Sequence, residues 1–203
     1  MRPATAQRLS IDGPAGKLEI AVSDPGQSRH GVALIAHPHP LYGGTLDNKV
    51  VQTLAKAFFA LGYCALRLNF RGVGASEGVF DEGRGEVEDF LALADYARRT
   101  YGETGLASGG FSFGGFVAAS AAQRLAPRHL VLAAPAVGRF AVGNVPESTL
   151  VIHGEEDDVV PLQDVFDWAR PQSLPVVVFP GAGHFFHGNL VVLQRLVEQH
   201  CRA

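Results

Sequence analysis

Cysteine is nearly absent from this chain of 203 residues. It has two, Cys64 within an apolar run and Cys201 near the C-terminal end. Two so placed offer neither a disulfide framework nor the clustered spacing of a zinc or redox site. An excess of positive charge is also missing. The 17 lysines and arginines face 20 acidic residues, for a formal charge of −3, and no basic run is interleaved with aromatics. Nucleic acid and anionic membranes therefore have no electrostatic counterpart here. No apolar stretch approaches the roughly 20 residues that cross a bilayer. The opening residues, Met-Arg-Pro-Ala-Thr-Ala-Gln-Arg, carry charge without an apolar core behind it, unlike a secretory signal. Repeats, low-complexity tracts and linker-like stretches are lacking as well. The expectation is one domain over residues 1–203, in the cytoplasm.

What is present alternates between strand and helix signals. Lys17 to Ser23 places Leu18, Ile20 and Val22 on one face, as a half-buried strand does. Val32 to Ala36 is continuously apolar, which suits a strand covered on both faces. Residues 47–61 and 84–99 carry apolar side chains at helical spacing, and Cys64 to Leu68 lies between them as a strand. Further strands are expected at Leu106 to Phe111, His129 to Ala133, Thr149 to His153 and Val176 to Phe179. Helices are expected at Asp164 to Ala169 and Leu190 to Gln199. This order predicts an α/β fold, a mostly parallel central sheet with helices on both faces. In such sheets ligands bind beyond the carboxyl ends of the strands.

The most telling segment is Gly110-Phe111-Ser112-Phe113-Gly114, a G-x-S-x-G pattern between a strand and a run of small helical residues. A serine on so tight a turn has an exposed Oγ, and the flanking glycines are required because a Cβ there would collide with neighbouring backbone. The N–H of Phe113 points where an oxyanion would form. A serine hydroxyl needs a base, and the base needs a carboxylate to fix its tautomer. Asp157, after the strand Thr149 to His153, and His184, after Val176 to Phe179, complete the chain order serine, acid, histidine. Asp158 stands beside Asp157 as the alternative acid, and His187 is read as a surface or packing histidine. His37, His39, His184 and His187 have no coherent metal-site spacing. The Gly72-x-Gly74 loop lacks the third glycine of a dinucleotide site. His153 and Arg71 read as structural hydrogen-bonding groups, and Trp168 has no assignable role.

These segments together resemble the α/β-hydrolase superfamily, from about Val32 to the end of the last helix. "HGEEDDVVP" is similar to the family's H-G-x-x-D-x-x-V-P segment, "GAGHFF" to its histidine segment, and "NFRGVGASEG" to its R-G-x-G-x-S loop. "HPHPLYGGTLDNKVV" resembles a subgroup of small bacterial members, dienelactone-hydrolase-like in size. The resemblance implies the α/β-hydrolase fold and favours Asp157 over Asp158 as the acid. It implies the backbone N–H of His39 as the second oxyanion donor, since Pro38 and Pro40 have none to offer. Tyr42, beside that loop, is a candidate pocket-lining residue. The implied activity is a serine hydrolase acting on a small ester or related acyl substrate, with no cofactor and no metal. Carboxylesterase, thioesterase, lactonase and peptidase chemistry remain open, as does the oligomeric state. The rival reading is a non-catalytic binding or regulatory protein on the same scaffold. The interval Pro135 to Ser148 is too short for a lid of several helices. An open site with little apolar surface above Ser112 is therefore expected.

Overall fold

The computed structural model describes residues 6–102 and 105–202. Among them, eight strands form one sheet: β1 (Gln7–Gly13), β2 (Gly16–Ser23), β3 (Gly31–Ala36), β4 (Tyr63–Leu68), β5 (Gly105–Phe111), β6 (His129–Ala133), β7 (Leu150–Gly154) and β8 (Val176–Phe179). The spatial order is β1-β2-β4-β3-β5-β6-β7-β8. From β4 across to β8 every pairing is parallel, while β2 runs antiparallel to both β1 and β4. The helices are α1 (Lys49–Ala60), α2 (Arg84–Tyr101), α3 (Phe113–Leu125), α4 (Leu162–Ala169) and α5 (Leu190–His200).

The unbroken apolar run of β3 follows from its place in the middle of the sheet. Val32, Leu34 and Ala36 join Phe90, Leu93 and Val117 of α2 and α3 on one face. Ala33 and Ile35, pointing the other way, join Leu54 and Phe58 of α1 and Leu193 and Val197 of α5. Side chains alternate across a strand, so a strand covered twice must be apolar at every position. Each fully buried Leu, Ile or Phe contributes about 1.5–3 kcal/mol relative to exposure, and these two layers hold most of them. The first helix starts at Lys49, two residues later than its periodicity suggests. Asn48 explains the boundary: its side chain accepts hydrogen bonds from the amides of Val50 and Val51 and caps the helix.

Strand β1 was not foreseen. Only Ile11 of its seven residues is buried, because it is an edge strand, and a polar edge strand carries almost no periodic signal. The clue was the mirrored pairing of Leu9 with Ile20 and Ile11 with Leu18 across a short turn. Between β6 and β7 the described chain contains no helix. It makes one isolated bridge, Val137 to Phe140, and the fold is lidless.

Candidate active site

The turn from β5 into α3 sets the position of Ser112. Its backbone sits at φ 55° and ψ −118°, a region that an L residue occupies only when its surroundings enforce it. The enforcement is visible. The Ser112 N–H donates to the carbonyl of Ala133, and its own carbonyl accepts from the amides of Gly115 and Ala136. A Cβ on Gly110 would stand 2.0 Å from the carbonyl oxygen of Gly114, so that position admits no side chain.

Asp157 lies just past β7 and His184 just past β8, both at the carboxyl ends of their strands. Asp157 is buried. Its Oδ1 accepts from the amides of Val159 and Val160 at 2.9 and 2.8 Å, and its Oδ2 meets His184 Nδ1 at 2.7 Å. Burial alone would raise the Asp157 pKa, but the hydrogen bonds from His184 and from the Val160 and Val159 amides hold it below the ordinary carboxylate value. An ionised carboxylate only accepts, so His184 carries its proton on Nδ1. Its Nε2 is then free to accept from Ser112 Oγ, 3.0 Å away. Ser112, His184 and Asp157 thus form one hydrogen-bonded chain across three strand ends. Asp158 is exposed and takes no part in it. His187 is exposed beside Phe185.

The backbone N–H groups of Phe113, the first residue of α3, and of His39 make no hydrogen bond to another described residue. Both residues line the same cleft as Ser112. The N-terminus of α3 adds its partial positive charge there. The His39 segment is held by a neighbouring imidazole. His37 is fully buried, its Nδ1 donating to the Pro38 carbonyl at 2.6 Å and its Nε2 accepting from the Phe70 amide at 3.1 Å. Acceptance from the Phe70 amide requires the neutral imidazole, and burial depresses the His37 pKa to about 4.

The cleft has a volume of about 330 Å³, with Tyr42, Gly44, Asn48, Phe140, Val160 and Phe185 on its walls. The Tyr42 ring packs against His39 at a tilt of 52°, with ring centroids 4.7 Å apart. Here one expectation fails: apolar surface does stand above Ser112. Phe140, brought in by the short β6–β7 segment, and Phe185, beside His184, supply it without any lid. Sequence reading also passed over Arg139, which lines the cleft; only its place in the short lid interval could have marked it. His153, expected to be structural, bonds through Nε2 to the Val160 carbonyl at 2.8 Å and lies 3.3 Å from Asp157. Arg71 makes a paired contact with Asp89, and Trp168 donates to the Val142 carbonyl. No helix among the described residues is long and apolar enough to cross a membrane.

Comparison with known proteins gives a consistent result. The family described as X-Pro dipeptidyl-peptidase (S15 family) matches residues 12–144. An uncharacterized protein of Rickettsia prowazekii is 32% identical across 88% of this chain and 82% of its own length. An α/β serine hydrolase without a lid from Xanthomonas campestris is 37% identical, with a TM-score of 0.92, covering 100% of this chain and 96% of that one. An α/β serine hydrolase homologue from Coxiella burnetii is also 37% identical, with a TM-score of 0.87, over 99% of this chain and 100% of that one.

Proposed function

The chain belongs to the S15 family within the α/β-hydrolase superfamily, and from that premise we propose that it is a serine hydrolase cleaving small esters or related acyl compounds through an acyl-enzyme on Ser112. The observation that carries this reading is the continuous chain Ser112 Oγ, His184 Nε2, His184 Nδ1, Asp157 Oδ2, with separations of 3.0 and 2.7 Å. His184 removes the serine proton as Oγ attacks the acyl carbonyl. Asp157 stabilises the imidazolium that forms. The N–H groups of Phe113 and His39 receive the oxyanion; one such donor typically accounts for about 3–4 kcal/mol of barrier lowering. His184 then protonates the leaving group, and water activated by the same ring releases the acyl group.

The peptidase activity in the family's description is the less favoured reading. A dipeptidyl-peptidase must hold a free α-ammonium group, and among the described residues no carboxylate lines this cleft. Among the described wall residues the one of fixed charge is Arg139, a cation. The two cysteines are buried and unpaired, which supports a reducing compartment such as the cytoplasm. Stopped-flow hydrolysis of a nitrophenyl ester tests the reading. The expected trace is a burst of about one nitrophenolate per chain followed by slower turnover. A protein that only binds on this scaffold would release none.

A further inference from the structure

The acyl-hydrolase reading leaves the substrate open, but the cleft walls carry more information. Three of their side chains offer hydrogen-bond donors. Asn48 uses Oδ1 to cap α1 through the Val50 and Val51 amides, which leaves its NH2 without a partner among the described residues. His39 accepts the Leu41 amide on Nδ1 at 3.2 Å, so the neutral ring carries its proton on Nε2. Arg139 adds a guanidinium.

Arg139 is an exposed residue on the cleft wall and has no counter-ion among the described residues. Eight arginines are ion-paired with Asp or Glu; Arg139, like Arg99, Arg195 and Arg202, makes no ion pair or hydrogen bond with any described residue, and of these four it alone lines the cleft of Ser112. Asp164, beside the adjoining Gly138, does not reach it. Arg139 is near enough to His39 to act on it: burial, and after it the Arg139 charge, lowers the His39 pKa. The segment that bears Arg139 is anchored. The Ala136 amide bonds to the Ser112 carbonyl, the Phe140 amide to the Ala136 carbonyl, and Val137 bridges Phe140. Arg139 thus places one positive charge on the wall of the cleft that holds Ser112.

We infer that Arg139 determines specificity by receiving a carboxylate on the substrate, so that the preferred substrates are small esters or thioesters bearing a free carboxylate. The inference rests on the acyl-hydrolase reading. A planar guanidinium matches a carboxylate with two parallel hydrogen bonds, and charged pairs of this kind are about twice as strong as neutral ones. Neutral analogues of the same shape leave the guanidinium with water alone.

The test compares wild type with Arg139→Gln on two substrate pairs. Monomethyl against dimethyl adipate places the carboxylate in the acyl part, and 4-acetoxybenzoate against its methyl ester places it in the leaving group. Dividing wild-type kcat/KM by that of the variant cancels each ester's own reactivity. In one of the two pairs this quotient is expected to be at least about ten-fold larger for the charged member, and the pair that responds tells which side Arg139 holds. Equal quotients for charged and neutral members in both pairs overturn the inference. A second readout is independent of turnover. Ser112→Ala should gain thermal stability with millimolar monomethyl adipate or 4-acetoxybenzoate, and Ser112→Ala/Arg139→Gln should not. An equal response from the two proteins overturns the inference as well. Fluorophosphonate labelling separates the two claims: loss of labelling in wild type defeats the hydrolase reading, whereas normal labelling with equal quotients defeats only the role of Arg139.

Discussion

Gly114 lies against Ala36 so closely that a Cβ on the glycine would stand 2.4 Å from the alanine's carbonyl oxygen. The helix that begins beside Ser112 is therefore seated directly on the end of the strand that leads into His37 and His39. The two oxyanion candidates, Phe113 and His39, are kept in register by this contact. Gly114→Ala should force the helix off the strand end. Overpacking of this kind costs about 1–3 kcal/mol, which for a chain of this size lowers Tm by about 2–4 °C per kcal/mol. Activity should fall further than stability does, by about a hundred-fold or more, because a donor is displaced from its oxyanion. Thermal melts alongside ester turnover give both numbers. Unchanged kcat/KM in a destabilised variant would separate the contact from the chemistry.

The adjacent acids make a clean contrast. Asp157 receives His184 Nδ1 at 2.7 Å, and Asp158 is exposed. Asp157→Asn should lower kcat by about four orders of magnitude, since an amide can leave the imidazole in the wrong tautomer. Asp158→Asn should stay within about three-fold, as surface substitutions do. Steady-state kinetics on the two variants decides it, and a reversed order would place the acid one residue later.

Acid should unfold this protein in a defined window. The folded-state pKa of His37 is depressed from 6.5 to about 4, so between those values the unfolded chain binds the extra proton. The stability due to neutral His37 is complete above pH 6.5 and is lost as pH falls towards 4, for about 3 kcal/mol in all. His39, His129 and His153 are also lowered, each chiefly by burial, and act in the same direction. Denaturant midpoints should fall steadily from pH 7 to 4.5. A His37→Gln variant, less stable at neutral pH, should show a shallower decline. An equal slope would assign the effect to other groups.

Substrate size follows from the volume of the cleft. At about 330 Å³ it is at the small end of the range for ligand sites. An acyl chain that outgrows it leaves methylenes in water and forgoes about 0.8 kcal/mol for each. In a series of nitrophenyl esters, kcat/KM should peak at about C2 to C6 and decline beyond, without activation at a lipid interface. The walls from Phe140 and Phe185 place the optimum towards the upper half of that span. A peak at about C12 would reveal a groove outside the cleft.

The parallel centre of the sheet was readable because buried strands have no choice but to be apolar: β3 and β4 are buried at every residue. The polar edge strand β1 was not, since water satisfies its side chains and leaves no period to find. The meeting of Ser112, Asp157 and His184 at the strand ends was legible through glycines and spacing. Backbone that must pass within 2.0 Å of where a Cβ would sit, as at Gly110, constrains sequence in a way that can be recognised. Arg139 and Phe140 were not legible. They come from a segment without periodicity, and their meaning depends on which strand ends it crosses, something that only the fold supplies. His37 showed its position but not its purpose, because its two hydrogen bonds go to backbone groups on separate loops.

The central claim is that Ser112 is a nucleophile activated by His184. Intact mass and peptide mapping after treatment with a fluorophosphonate measure it directly. The prediction is one adduct per chain, carried on Ser112, absent from Ser112→Ala and strongly slowed in His184→Ala, with both variants folded by circular dichroism. An unlabelled wild-type protein, or a label on any other residue, would contradict it.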